Sequence, residues 1–564
     1  MIPFIAQNMA PIMFACLIIF LLLGYPVAFS LAGLGLFFFV IGVELAPYSG
    51  GNINLSWALL QAMPERIFGV MNNDTLLAIP FFTFMGLILE RSGMAEDLLD
   101  TIGQLFGPVR GGVAYAVVFV GALLAATTGV VAASVISMGL ISLPIMLRYG
   151  YDRRLASGVI AASGTLAQII PPSLVLIIMA DQLGKSVGDM YEGAFIPGIV
   201  LACMYAGYIF LVTLIKPEAA PALPPEARTL GSGVKSLLVL VALAVGISYV
   251  LSHFYLPGKV AKGNENIIAA SIGFMVVYLM AYANKKFKFG QMSLLSQETV
   301  LVLMPPLGLI FLVLGTIFLG IATPTEGGAM GAAGAILIAI AKGRLTLELV
   351  RQAVDSTAKL SAFVLFILVG ARVFSLAFYG VNGHLWVEHL LVSLPGGATG
   401  FLIFVNIMVF LLAFFLDFFE LAFIIIPLLG PPAEKLGIDL IWFGVILGVN
   451  MQTSFMHPPF GFALFYLRSV APSEIYTDKV TGKKMEPVTT AQIYWGAIPF
   501  VVIQCIMVAL VIIFPQMVMV YKNQQVQMNQ QQVDDALKNI VIPGLGAPGG
   551  LGLPGFDPPV IKIQ

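Results

Sequence analysis

The 564-residue chain is 59% hydrophobic and only 10% charged, with a net charge of −1. Soluble chains carry about 25% charged residues, so this composition excludes a soluble enzyme and points to an integral membrane protein in a lipid bilayer. No basic surface is available for nucleic acid, and no nucleic-acid partner is expected. Cys16, Cys203 and Cys505 stand singly in apolar runs and read as small buried hydrophobes, not as a disulfide framework or metal cluster.

Strand-like alternation in ten-residue units is absent, so the spans are read as helices. The apolar windows accommodate a dozen to sixteen spans or half-spans at about 20 residues each. The first, 11–43, has no basic flank followed by a cleavage site, so Pro11–Phe20 reads as a span and not a signal peptide. The window 112–147 is interrupted by Ala126-Thr127-Thr128-Gly129, with Ser134 just beyond. Its two runs are too short to span separately, which predicts a re-entrant hairpin near 115–147. The half-helix N-termini at its tip suit an anionic group. Arg148, Arg153 and Arg154 then form a basic cluster, as cytoplasmic loops do.

A broken helix is predicted over 155–181, where Ser163-Gly164-Thr165-Leu-Ala-Gln168 leads to Pro171-Pro172-Ser173. Proline lacks the N–H a helix needs, and its ring obstructs the carbonyl four residues back. In hydrocarbon the freed carbonyls are tolerated only inside protein or along a wet cavity. Joined by Ser163, Thr165, Gln168 and Ser173 they make a cage of hard oxygens suited to Na⁺; a simple helix kink is the bland alternative.

Next come a window at 195–215, a Pro-rich stretch at 217–232 that reads as an extended linker, and about two inserted spans within 235–283. Lys285-Lys286-Phe-Lys288 and Lys342-Gly-Arg344 enclose 298–341, a membrane hairpin that turns near Thr323-Pro-Thr325-Glu326. Glu326 either binds a cation or caps the following helix. After 358–379, His384 and His389 with Trp386 read as interfacial. A second hairpin is predicted near 402–430, carrying Asp417 and Glu420, intramembrane carboxylates that are costly unless paired, hydrated or ion-bound. A pairing with Arg372 is the structural alternative to a role in coupling.

A second broken helix is predicted over 440–468. Asn450-Met-Gln452-Thr453-Ser454 leads to His457-Pro458-Pro459, with Gly461 after it. This segment repeats the first: 437 minus 150 and 458 minus 171 both give 287, with Asp439 and Pro459 at the same offset from Asp152 and Pro172. Downstream, Tyr191-Glu-Gly193-Ala194 is echoed by Tyr494-Trp-Gly496-Ala497. Only the first copy follows a basic cluster, as expected if the second is inserted upside down. Paired interruptions at matching places in two halves are the sequence pointer to a transporter's binding site. His457 can protonate or can simply pack. The window 496–520 is followed by a Gln-, Gly- and Pro-rich tail, expected to be disordered. The expected organisation is thus a first half 1–216, a linker and insertion 217–297, a second half 298–520 and a tail 521–564. No ATP-binding P-loop occurs; Gly231-Ser-Gly-Val-Lys235-Ser236 lacks its loop length and preceding strand, so an ion gradient is left as the energy source.

Leu77-Leu-Ala-Ile-Pro80-Phe-Phe, the segment Gly164 to Ser173, and Gly320-Ile-Ala-Thr-Pro-Thr-Glu326 resemble the large membrane subunit of tripartite ATP-independent periplasmic (TRAP) transporters, over about residues 10–520. The resemblance implies an all-α polytopic protein of the bacterial inner membrane, with inverted repeats, broken helices and two re-entrant hairpins working as an elevator. It implies Na⁺ as the coupling ion, no other cofactor, and a small-molecule organic acid as solute. Its implied partners are a periplasmic solute-binding protein and a small four-helix membrane subunit. Carried over, the ion and substrate regions fall on Thr127–Ser134 with Ser163–Ser173, and on Asp417–Glu420 with Asn450–Gly461. Relatives mostly carry Asp-Pro-Thr where this chain has Asp417-Phe-Phe-Glu420, and many have Thr-Pro-Pro where it has His457-Pro-Pro. With the inserted spans, these departures resemble a longer branch often labelled mannitol or chloroaromatic transport, and the extra carboxylate and histidine permit H⁺ coupling. The alternatives are a self-sufficient carboxylate–cation symporter or antiporter of similar design, and a membrane subunit of a redox or proton-pumping complex.

Overall fold

The computed structural model describes residues 2–519, apart from 130, 232, 258, 260–264 and 479. The predicted disordered tail lies outside the described residues. Among these, nine helices are long and apolar enough to cross a membrane, and the pair Gly383–Val392 and Gly397–Leu412 bends by 116°. A two-stranded ribbon pairs Tyr476–Thr477 with Lys484–Met485. The protein is a nearly all-helical membrane protein.

The first hairpin consists of Gly112–Thr128 and Val131–Arg148, turning at Gly129 with φ +58°. The first broken helix runs Arg153–Thr165, tightens into a 3₁₀ turn at Leu166–Gln168, and resumes as Leu174–Leu183. A closing helix, Val187–Ile215, follows. In the second half the hairpin is Gly397–Leu412 and, after a non-helical tip, Phe418–Lys435 with a π-helical turn at Leu421–Ile425. The second broken helix is Leu440–Met451, a 3₁₀ turn at Gln452–Phe455, and Phe462–Val470, followed by the closing helix Thr490–Ile513.

Equivalent local interactions build both copies. Gly150 and Gly437 take φ +83° and +72°. Behind them Tyr151 N donates to Met146 O and Ile438 N to Ala433 O, the bonds that finish a helix on a left-handed residue. Asp152 and Asp439 then cap the next helix, each accepting from the amides two and three residues on. Both proline pairs are joined by cis peptide bonds.

The copies pack reciprocally. A Cβ on Gly496, near the start of the second closing helix, would sit 2.1 Å from the Arg154 carbonyl oxygen; one on Gly193, near the start of the first, would meet Ile441. Arg154 and Ile441 are themselves equivalent positions, 287 apart. Each closing helix therefore crosses the beginning of the other repeat's broken helix, which is the packing of an inverted pair.

The 217–231 segment is not a free linker. Asp152 N donates to Ala219 O, Gly111 N to Ala220 O, and Leu223 N to Gly107 O, at 2.8–2.9 Å. Gln104 Oε1 accepts from Leu230 N and the Thr229 hydroxyl. Prolines leave carbonyls unused by any helix, and here those carbonyls strap the segment onto the base of the first repeat. The inserted helices Val234–Val250 and Glu265–Phe287 dock on Leu294–Phe318 through Ser236–Ser296, Asn284–Gln297 and Lys285–Glu298 contacts of 2.7–2.9 Å.

Candidate functional site

The two breaks meet. Gln452 Nε2 donates to Thr165 Oγ1 at 2.9 Å, and both residues are fully buried. Thr165 Oγ1 donates in turn to Ala162 O at 2.8 Å and receives Gln504 Nε2 at 3.4 Å from the second closing helix. Gln504 Nε2 also donates to the Tyr205 hydroxyl at 2.9 Å on the first closing helix. Both broken helices and both closing helices therefore share one buried polar knot.

Around that knot the first break is tightly walled. A Cβ on Gly121 would lie 2.6 Å from the Ser163 Cβ, and one on Gly164 2.3 Å from Val135, so both arms of the first hairpin press on it. Ser163 is buried and its hydroxyl has no hydrogen-bond partner. Ser173 caps the second half-helix, accepting from Val175 N and donating to Gln168 O at 2.5 Å. The hairpin tip reaches this cap, since Gly129 lies against Leu174. Thr127 and Thr128 end the first arm; their side chains lie outside the described ones. Ser134 is buried in the second arm.

The second break is tied to its own hairpin. Asn450 Nδ2 donates to the Asn406 carbonyl and side-chain oxygens at 2.8 and 2.9 Å, and Thr453 Oγ1 donates to Asn450 O. The His457 ring stacks on Phe414 at 4.0 Å between centroids and meets Phe410 edge-on at 4.4 Å. The Ala413 carbonyl lies beside the ring, and the Ser454 hydroxyl has no hydrogen-bond partner among the described residues. Gly461 lies too close to the Phe455 carbonyl for a side chain, 2.6 Å from a built Cβ. The Tyr494 hydroxyl donates to Pro459 O, as that of Tyr191 does to Ser173 O.

Asp417 and Glu420 are taken up by helix capping. Asp417 Oδ1 accepts from Glu420 N at 2.9 Å and Glu420 Oε2 from Asp417 N at 3.1 Å. Arg372 is exposed, and no ion pair joins it to them among the described residues. Thr323 and Glu326 form the same capping box elsewhere, and Thr325 Oγ1 donates to Asp74 O at 2.6 Å.

Buried side-chain polar atoms almost always find partners, so the exceptions matter. Of the thirteen without one among the described residues, six belong to Ser163, Gln168, Gln452, Ser454 and His457 on the two breaks, and a seventh is Gln504 Oε1. The unmet demand is mostly for a donor or cation beside neutral oxygens. Sequence reasoning missed Asn406, Tyr205 and Gln504. The available signal was a lone amide inside an otherwise apolar helix, since Asn406 and Gln504 are each such a residue.

The family model described as the DctM component of the tripartite ATP-independent periplasmic transporter matches residues 14–517. The C4-dicarboxylate TRAP transporter large permease protein of Rhodobacter capsulatus is 28% identical, over 81% of this chain and 89% of that protein. The Pseudomonas aeruginosa protein of the same description is 25% identical, over 77% and 84%. The sialic acid TRAP transporter permease protein of Haemophilus influenzae is 23% identical, over 82% of this chain and 62% of that longer protein.

Proposed function

We propose, from the premise that this chain belongs to the TRAP transporter family as its DctM component, that it moves an organic acid across the bacterial inner membrane together with Na⁺. As a large permease it is a multi-pass transport protein and not an enzyme. Its solute is an organic anion: the C4-dicarboxylates and sialic acid for which the relatives above are named share that chemistry. A periplasmic binding protein delivers the solute, and a small membrane subunit completes the permease.

The observation that carries the reading is the meeting of Thr165 and Gln452 where both broken helices open, among buried oxygens without donors. Such oxygens are hard, neutral ligands of the kind Na⁺ takes in discontinuous membrane helices. The half-helix starting after Ser173 directs backbone amides back at the first break, which suits an anion beside the cation. The interlocked repeats support an elevator: the broken helices and closing helices cross closely, which suits movement as one body. Uptake driven by one charge moving with the field draws on about 2.3 kcal/mol per 100 mV.

The test is uptake into proteoliposomes holding this chain and its small subunit, with the binding protein and radiolabelled solute outside. An inward Na⁺ gradient is expected to drive accumulation that an equal K⁺ gradient does not. Accumulation driven equally by both gradients would contradict Na⁺ coupling. Transport without the binding protein and small subunit would favour a self-sufficient symporter.

A further inference from the structure

Two side-chain amides and a backbone carbonyl meet on one buried atom, the Thr165 hydroxyl oxygen. Thr165 Oγ1 has one proton and two lone pairs, and all three are used: the proton on Ala162 O, the lone pairs on Gln452 Nε2 and Gln504 Nε2. The hydroxyl therefore has no capacity left for an ion while this knot is intact. The spare capacity sits one bond further out. Gln504 Nε2 has both its protons engaged, one on Thr165 and one on the Tyr205 hydroxyl, so its Oε1 is fixed in orientation. That oxygen, like Gln452 Oε1, is buried and has no donor. Tyr205 is itself held rigidly, packed edge-on against Phe500 at 5.2 Å, one helical turn before Gln504 on the same closing helix. A buried acceptor left without a donor is costly, and two such oxygens held by one hydroxyl, both carried by the second repeat, call for a small cation.

We propose that Gln504 supplies a further coupling-ion ligand through its Oε1, paired with Gln452 Oε1, and that Tyr205 is the positioning residue that aims it. This rests on the cation-coupled reading above and deepens it: the ion site extends beyond the broken helices onto the closing helix of the second repeat. Thr165 acts as the hub that holds both amides and not as a ligand.

The test compares Gln504→Leu, Gln504→Asn, Tyr205→Phe and the control Tyr208→Phe, whose ring also packs on Phe500, at 5.1 Å, without joining the knot. Each is reconstituted with its partners, and initial uptake is measured against Na⁺ and against pH. Gln504→Leu is expected to raise the half-saturating Na⁺ roughly tenfold, and Tyr205→Phe by a smaller factor of about three, with the maximal rate at saturating Na⁺ kept within about twofold. Gln504→Asn, which keeps the amide on a shorter stem, is expected to fall between wild type and Gln504→Leu. Tyr208→Phe is expected to match wild type. A lowered maximal rate with unchanged half-saturation in Gln504→Asn and Tyr205→Phe overturns the proposal, and so does an ordered water in the knot with unchanged ion dependence. If wild type responds to pH and not to Na⁺, the ligand assignment is overturned, because a neutral amide oxygen coordinates Na⁺ but takes up no proton in this pH range. Wild-type uptake that responds to neither overturns the coupled reading itself, and the ligand assignment falls with it.

Discussion

Gln452 and Thr165 are 287 positions apart, the spacing of the repeat itself, and the hydrogen bond between them is 2.9 Å long. A residue that touches its own counterpart stands on the pseudo-twofold axis. The local symmetry on either side of that contact is kept down to single bonds: Ile170 N donates to Leu166 O, and His457 N to Thr453 O. The axis is thus placed at the two breaks, where neither helix uses its backbone fully.

Removing either partner of the axial contact leaves the other buried and unsatisfied, a cost of about 1–3 kcal/mol. Thr165→Ala and Gln452→Ala are each expected to lower uptake and the unfolding temperature of the purified protein. Because they delete one shared interaction, the double variant is expected to lose less than the two single losses added. Additive losses in a thermal-unfolding cycle would mean the contact carries no coupling.

Asp417 caps a helix with an oxygen that asparagine also provides. Asp417→Asn is therefore expected to keep most stability and uptake, whereas Asp417→Ala loses about 1 kcal/mol. Denaturation of the two variants side by side distinguishes capping from an ionic role, for which the asparagine variant would fail as badly as the alanine one.

His457 is wedged between Phe410 and Phe414, with the Ala413 carbonyl beside the ring. His457→Phe is expected to preserve uptake and its pH profile between about pH 5.5 and 8, the range in which an ordinary histidine changes charge. A flattened pH profile in that variant would assign the proton-coupling role to the imidazole.

At the base of the first hairpin, Asp478 receives two hydrogen bonds from Arg148 and one from the Thr481 hydroxyl. The Arg148 bond above all, with those of Thr481 and the Arg148 charge, holds its carboxyl well below the usual range against a smaller effect of burial. A depressed carboxylate contributes stability that is complete above its unfolded value of about 3.9 and disappears as pH falls through the folded value. Wild type is thus expected to be more thermostable than Asp478→Asn from pH 5 to 8, with the gap narrowing steadily below about pH 4. A gap independent of pH down to 2 would count against the ion pair as its source.

The sequence made the breaks legible because a repeated pattern singles them out, but proline pairs alone did not. Pro305–Pro306 and Pro431–Pro432 lie in apolar surroundings too, and both sit inside continuous helices. A continuous helix tolerates prolines where freed carbonyls can be re-satisfied by their surroundings, which no local rule foretells. What separates Pro171–Pro172 and Pro458–Pro459 is the run of polar side chains just before each. The capping roles of Glu326, Asp417 and Glu420 were readable from their three-residue spacing to Thr323 and Asp417. Asn406 and Gln504 offered only the signal of an amide inside an apolar helix, and Tyr205 offered none, because each acquires its partners from a helix distant in sequence. The strap at 217–231 escaped for the same reason: its carbonyls are matched by amides of Gly111 and Asp152 that only the fold brings near.

The central claim is that the apposed breaks bind Na⁺. Na⁺ binding to the folded state alone raises stability by mass action, about 2.7 kcal/mol at a hundred times the dissociation constant. Thermal unfolding of the detergent-purified protein in NaCl against equal KCl is expected to show a Na⁺-specific rise for wild type that Gln452→Ala and Thr165→Ala both lack. An identical Na⁺-specific rise in all three proteins would contradict the placement of the cation at the axis.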